Sequence, residues 1–156
     1  MSEGIAIMDD ETKNYIYINK TREILYGYPK EVFFDKGINF RINNCIHPED
    51  RAREKEYYTS GKWPDYDEFR IFKPDGEIRW LSSTYTHTVF MGKKCTMSVQ
   101  RDITDFKQQQ VLNKKLEKNI QVATTTGVRE GLKKAVILLK NEGIDNKIIS
   151  KVLELN

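Results

Sequence analysis

The strongest constraint on this chain is a pair of tight turns set between three long extended stretches. Tyr66–Phe72, Ile78–Phe90 and Lys94–Ile103 are rich in aromatic and β-branched residues, and Lys73-Pro74-Asp75-Gly76 and Met91-Gly92-Lys93 divide them. Proline presets one turn dihedral and glycine supplies the positive φ of the next position, so each turn folds its strands back on each other. The result is an antiparallel meander. In its last strand Cys95, Met97 and Val99 alternate with Thr96, Ser98 and Gln100. A period of two sends these sets to opposite faces, which predicts a buried apolar face and a wet polar one.

A second β signal opens the chain: Ile5 and Ile7, then Tyr15–Ile18, separated by the polar run Asp9–Asn14, read as a hairpin. Between the two β regions lie short helical pieces. Asn19–Gly27 stops at its glycine, Tyr28–Phe33 carries proline in its first turn, and a longer helix starts at His47-Pro48 and runs to Ser60-Gly61. Strands at both ends with short helices between them predict an α+β domain, one antiparallel sheet with helices on one side.

From Asp105 onward the pattern becomes helical. Leu112, Leu116 and Ile120 recur every four residues as a narrow stripe that predicts a partner helix, and Thr124-Thr125-Thr126-Gly127 interrupts it. Leu132, Ala135, Val136 and Leu139 mark a second amphipathic helix ending at Gly143. Asp145 can cap a third, whose apolar face is Ile148, Ile149, Val152 and Leu153. The expected organisation is a domain over 1–104, an amphipathic linker helix over 105–123 and a small helical tail over 127–156. Leu112, Leu116, Ile120, Leu139, Ile148 and Val152 are the candidate dimer interface, with the homodimer as expected state.

Composition excludes several classes. The chain has 156 residues, 38% hydrophobic and 31% charged, and no apolar run near the ~20 residues of a membrane span. No secretory leader is evident at the N-terminus, so a cytoplasmic protein without membrane contact is expected. Cys45 and Cys95 stand among apolar neighbours and read as buried thiols, not a disulfide. Residues 1–104 hold 16 Lys and Arg against 17 Asp and Glu, and residues 105–156 hold 10 against 6, so the basic excess belongs to the tail. No phosphate loop, metalloprotease helix or nucleophile elbow is present, and no enzyme or metal site is expected.

Four segments, "GIAIMDDETKNYIYINKTREILYGYPKE", "IHPEDR", "DEFRIFKPDGEIRWL" and "QRDITDFKQQ", occur in an order and spacing that resembles a PAS domain with its C-terminal motif. The resemblance covers about residues 3–108. It implies a five-stranded antiparallel sheet flanked by short helices, used as a sensor or dimerisation module in signal transduction, with Asp102-Ile103-Thr104 joining the core to a signalling helix. It implies that Asp102 pairs with an arginine of the sheet, Arg70 or Arg79, while the Thr104 hydroxyl ties the helix start. A small-molecule ligand would lie between the sheet and the helices, contacted by Tyr26, Phe33, Phe40, Ile42 and Cys45 and by the strand residues Phe69, Trp80 and Met97.

The cofactor of such a pocket is unknown from the sequence. Asn44-Cys45 is followed by Ile46-His47-Pro48, without the Arg-Phe-Leu-Gln that follows the reactive cysteine of flavin-binding light sensors. The helix after Pro48 carries no histidine for haem. His47 reads as a helix-start residue and His87 as an ordinary strand histidine. The tail weakly resembles the first two helices of a helix-turn-helix, and the chain ends where a recognition helix would begin. Three functions follow in order: a PAS sensor acting on a downstream signalling protein or domain, a protein-interaction module that pairs subunits, and a DNA-binding transcriptional regulator using the basic tail.

Overall fold

The computed structural model describes residues 3–125 and 129–153, apart from the side chains at 123, 125, 129, 130, 152 and 153. The chain divides into two compact units, Met1–Asp105 and Phe106–Asn156.

The first unit is an α+β domain built on one five-stranded sheet. Its strands are β1 (Gly4–Asp9), β2 (Tyr15–Ile18), β3 (Tyr66–Phe72), β4 (Ile78–Phe90) and β5 (Lys93–Asp102), in the spatial order β2-β1-β5-β4-β3. All neighbours are antiparallel. The two meander turns set the register of β3, β4 and β5, and Gly76 N–H closes the first turn onto the Lys73 carbonyl at 2.9 Å. The opening hairpin then docks through β1 onto β5, so the first and last strands become central partners.

Helices α1 (Lys20–Tyr26), α2 (Lys30–Phe40) and α3 (Arg51–Ser60) connect the hairpin to the meander. Asn19 starts α1: its side-chain oxygen accepts the Arg22 N–H at 3.0 Å and the Ile5 N–H at 2.9 Å, so one residue caps the helix and fastens it to β1. The second helix runs further than its sequence suggests. It kinks at Gly37, continues to Phe40, and passes into a π-helical turn over Arg41–Cys45. The helix expected from His47 begins as a single 3₁₀ turn, Pro48–Asp50, before α3 proper.

Tyr26, Phe33, Ile42, Cys45, Ile46, Tyr58, Phe69, Ile71 and Leu81 form the core between sheet and helices. Phe33 is its hub, with Tyr15, Tyr26, Tyr28 and Phe40 packed edge-on at ring-centroid distances of 5.6–6.2 Å. Each such fully buried side chain contributes about 1.5–3 kcal/mol of hydrophobic stabilisation.

The second unit contains most of α4 (Thr104–Thr125) with α5 (Arg129–Asn141) and α6 (Asn146–Leu153). The Leu112, Leu116 and Ile120 stripe packs with Val136, Leu139, Ile144, Ile148 and Ile149 of the same chain. A partner subunit is therefore not needed to cover it, and five of the six candidate dimer residues are used inside one protomer. The side chain of Val152, the sixth, lies outside the described residues. Among the described residues no helix is long and apolar enough to cross a membrane.

Gly27 ends α1 in the left-handed region, φ 73°, where a Cβ would meet Pro74 Cδ of the β3–β4 turn at 2.7 Å. Gly61 ends α3 at φ 68° with nothing within 4 Å of the added atom. Gly61→Ala is expected to lose only the left-handed penalty of about 1–2 kcal/mol, and Gly27→Ala distinctly more, as read from urea unfolding midpoints.

Candidate functional site

The strand pairing decides which side chains face the helices. Ala6 opposes Ser98, Gly4 opposes Gln100, and Ser98 and Gln100 oppose Tyr85 and Ser83 of β4. Ser83 and Gln100 are fully buried on this inner face and Thr96 nearly so. The sequence reading of β5 is reversed over most of the strand: Thr96, Ser98 and Gln100 point inward, while Met97 and Val99 lie with Ile5 and Ile7 on the outer face, and Cys95 alone of the expected apolar set is fully buried. Thr96 donates there to Asp10, Ser98 accepts from Arg22, and Gln100 belongs to a network around a buried charge.

That charge is Arg41, 1% exposed, carried inward by the π-helical turn. Its Nε donates to the Tyr26 hydroxyl at 3.1 Å, and its Nη1 donates to Glu54 Oε2 at 2.8 Å and to the Tyr58 hydroxyl at 2.9 Å. Tyr26 in turn donates to Gln100 Oε1 at 3.1 Å, and Gln100 donates to Ser83 at 3.4 Å. The guanidinium also lies over the Phe69 ring, 5.2 Å from its centroid. A continuous polar chain thus joins α3, the π turn, α1, β5 and β4. Burial opposes the charge on Arg41, and the surrounding Tyr26, Tyr58 and Glu54 oxygens outweigh it and keep the group a cation. Burial drives the hydroxyls of Tyr15, Tyr58 and Tyr85 above the usual phenol range, so all three stay neutral.

Of the residues expected around a ligand, Tyr26, Phe33, Ile42, Cys45 and Phe69 are in this core and Phe40 packs against it. Trp80 and Met97 are not. Trp80 opposes Arg70, whose guanidinium stacks 5.3 Å from its ring, and Met97 opposes Ile7, so both belong to the other face of the sheet. Burial, against the pull of Arg41 and Arg22, pushes the Cys45 thiol up to about 11. Arg22, Arg41, Glu54, Tyr58 and Ser83 are not singled out by the sequence, and Gln100 is assigned by it to the wet face. The one available signal was an arginine set between Phe40 and Ile42 in a run with the composition of core.

His47-Pro48-Glu49-Asp50 is scaffolding. His47 Nδ1 accepts the Glu49 N–H at 3.4 Å and its ring stacks on Phe72 at 5.3 Å. Asp50 accepts the Arg70 backbone N–H, its Nε and its Nη2 at 2.9–3.0 Å, and Glu49 reaches Arg70 Nη2 at 2.8 Å. Burial would raise the Asp50 carboxyl, and this two-pronged arginine contact more than reverses it. His87 is exposed at the sheet edge, 3.3 Å from the Thr96 hydroxyl. No group of three or more metal-binding side chains occurs among the described residues.

The exit from the sheet is fastened at Trp80. The Trp80 carbonyl accepts the Ile103 N–H at 2.9 Å, and the Trp80 N–H donates to the Thr104 hydroxyl at 3.0 Å. Asp102 Oδ1 accepts the Thr104 N–H at 2.9 Å, satisfying one orphan donor of α4. Its Oδ2 faces Arg79 Nη1 at 3.5 Å, a long contact, since Arg79 is drawn more closely to Glu77 at 2.6 Å. Arg70, the other candidate, is taken up by Asp50 and Glu49.

A sheet of order 2-1-5-4-3 with its helices between β2 and β3 has counterparts among known proteins. The family model described as PAS fold matches residues 15–98, more than half of the chain. The chain belongs to the PAS family. Among solved PAS structures, a sensory box histidine kinase/response regulator from Burkholderia thailandensis is similar, with 21% identity, TM-score 0.56, and coverage of 76% of this chain and 90% of that one. The N-terminal domain of a diguanylate cyclase with PAS/PAC sensor from Marinobacter aquaeolei has 17% identity and TM-score 0.55, covering 66% and 96%. A PAS domain from Desulfitobacterium hafniense has 14% identity and TM-score 0.52, covering 65% and 93%. No curated protein matches the sequence.

Two outcomes follow from the buried network of this PAS domain. Glu54→Ala strands the Arg41 charge and is expected to destabilise the fold by about 3–5 kcal/mol, while Arg41→Met with Glu54→Leu recovers most of that loss in urea unfolding. Cys45 keeps its proton in the folded state up to about 11, against an ordinary value of 9.0. The unfolded chain ionises first, so stability is full below pH 9 and falls as pH rises through that window, less steeply in Cys45→Ala.

Proposed function

We propose that this PAS domain is a signal-sensing module whose interior, between the concave face of the sheet and α1–α3, responds to a small ligand or partner and passes its state through residues 102–104 into α4. The observation that carries this reading is the double use of Trp80. Both of its backbone groups hold the exit peptide, and the same strand sends Ser83 and Tyr85 into the interior three and five residues further on. A shift of β4 that repacks the interior therefore displaces the start of α4 as well.

Structural neighbours with sensory names support the reading: one is titled a diguanylate cyclase with PAS/PAC sensor, another a sensory box histidine kinase/response regulator. The module would report to a downstream signalling protein or domain, as a homodimer. Native mass spectrometry of the full chain, which counts subunits and bound small molecules together, is expected to show both. A bare monomer at high concentration removes both parts of that expectation.

Transmission has its own test. Asp102→Ala removes the carboxylate that accepts the Thr104 N–H, and loss of such a cap is expected to speed hydrogen exchange in the first turns of α4 by about tenfold. Unchanged protection there removes the coupling.

A further inference from the structure

Besides Arg41, the interior holds a second arginine. Arg22 is 3% exposed and its Nη1 donates to Ser98 at 3.1 Å, with its guanidinium 4.8 Å from the Tyr26 ring centroid. Arg41 has Glu54 as its counter-charge. Among the described residues no carboxylate lies within 4 Å of Arg22. Buried charges are ordinarily paired, because an unpaired one forfeits its hydration without replacement. Arg22 is therefore a buried cation with no carboxylate beside it, whereas Arg41 has Glu54, which in turn lies against Asp67.

Ser98, the partner of Arg22, also lines a small cavity with Tyr15, Tyr58, Trp63 and Tyr85. In this closed form its volume is about 10 Å³, close to the room that one water molecule needs. The hydroxyls of Tyr15 and Tyr85 are buried at this cavity with no partner in hydrogen-bonding geometry, and Tyr15 is 9% exposed. Both arginines act electrostatically on the Tyr15 hydroxyl, and Arg22 reaches the cavity wall through its bond to Ser98. Ala6 and Met8 supply an apolar floor.

Trp63 is the wall contributed by a loop. It belongs to neither helix nor strand, standing between Gly61 and the start of β3 at Tyr66. Its ring is held by contacts to Tyr58 at 4.6 Å and Tyr85 at 4.7 Å.

We infer that this cavity is the binding site of a short-chain monocarboxylate, with the carboxylate neutralising Arg22 and accepting from the Tyr15 and Tyr85 hydroxyls, and the alkyl tail lying against Ala6, Met8 and a displaced Trp63. The unpaired charge of Arg22 calls for a negative charge, the Tyr15 and Tyr85 hydroxyls suit the two oxygens of a carboxylate, and Ala6, Met8 and Trp63 offer the alkyl tail an apolar surface beside the polar Thr96 and Ser98. The inference rests on the sensory reading above and names the class of ligand at that site.

The probes are sodium acetate, propionate, butyrate and pentanoate, titrated into the full chain at constant ionic strength, with propionamide and butanol as uncharged controls. Thermal unfolding and tryptophan fluorescence are the readouts. A saturable rise in Tm with one or more of the acids, a fluorescence change that Trp63→Phe abolishes, and no response to the controls are expected. Tyr15→Phe removes a hydroxyl that lies near Tyr58 without a well-formed hydrogen bond in the unliganded protein, so its unliganded Tm is expected to stay close to the wild type. Its affinity for the acid should fall about tenfold, the value of a hydrogen bond to a charged group. Arg22→Gln is expected to lose the response entirely.

Equal responses to acid and amide, an undiminished response in Tyr15→Phe, or no response to any of the four acids would each overturn the inference. A non-acidic molecule found by native mass spectrometry alongside silent acids would sink this ligand class and leave the sensory reading standing. A response to acids with unchanged exchange in Asp102→Ala would do the reverse.

Discussion

The first unit is organised around a single guanidinium kept out of water. Arg41 forfeits its hydration when the π-helical turn carries it inward, and every neighbouring element supplies part of the replacement: Tyr26 from α1, Glu54 and Tyr58 from α3, and, through Tyr26, Gln100 of β5 and Ser83 of β4. In a low-dielectric interior such bonds are directional and strong, and an unmet member is expensive. The helices are consequently held to the sheet at defined angles as well as by contact area. Phe33 and the rings around it fill the space on one flank of the network, and Trp63 closes the other.

The same network bears on signalling. Apolar cores tolerate small displacements gradually, whereas a chain of hydrogen bonds has discrete arrangements, each member donating or accepting. A ligand that took over one of these bonds would change the partners of the next, and β4 is common to that chain and to the exit at Trp80. Ser83 of that chain and Trp80 at the exit lie three residues apart on one strand.

Much of this architecture can be read in the sequence, because its determinants are local. Pro74-Asp75-Gly76 and Gly92 mark the turns, Asn19 and Gly27 bound α1, and Pro48 opens the segment that leads into α3. These signals act over a few residues and leave their chemistry in the text. What could not be read depends on pairing across distance. The polar face of β5 turned out to be the inner one, where Gln100 joins the Arg41 network, Ser98 accepts from Arg22 and Thr96 donates to Asp10, all partners distant in sequence. The extension of α2 past Phe33 to Phe40 is sustained by the aromatic cluster, in spite of Gly37. The Leu112, Leu116 and Ile120 stripe suggested a second subunit because its spacing says only that something apolar covers it, and α5 and α6 of the same chain do so. For the candidate site, the aromatics were visible as core, while Arg22, Arg41 and Glu54 looked like ordinary surface charges.

The inward turn of Thr96, Ser98 and Gln100 has a thermodynamic corollary. Exposing apolar surface raises the heat capacity of a chain and exposing polar surface lowers it. A sheet whose concave side is lined with hydroxyls, an amide and two guanidiniums releases both kinds of surface on unfolding, and their contributions partly cancel. The free energy of this domain consequently varies with temperature along a shallower arc than that of an oil-filled fold of equal length, so its interior stays comparably well held in cold and in warmth.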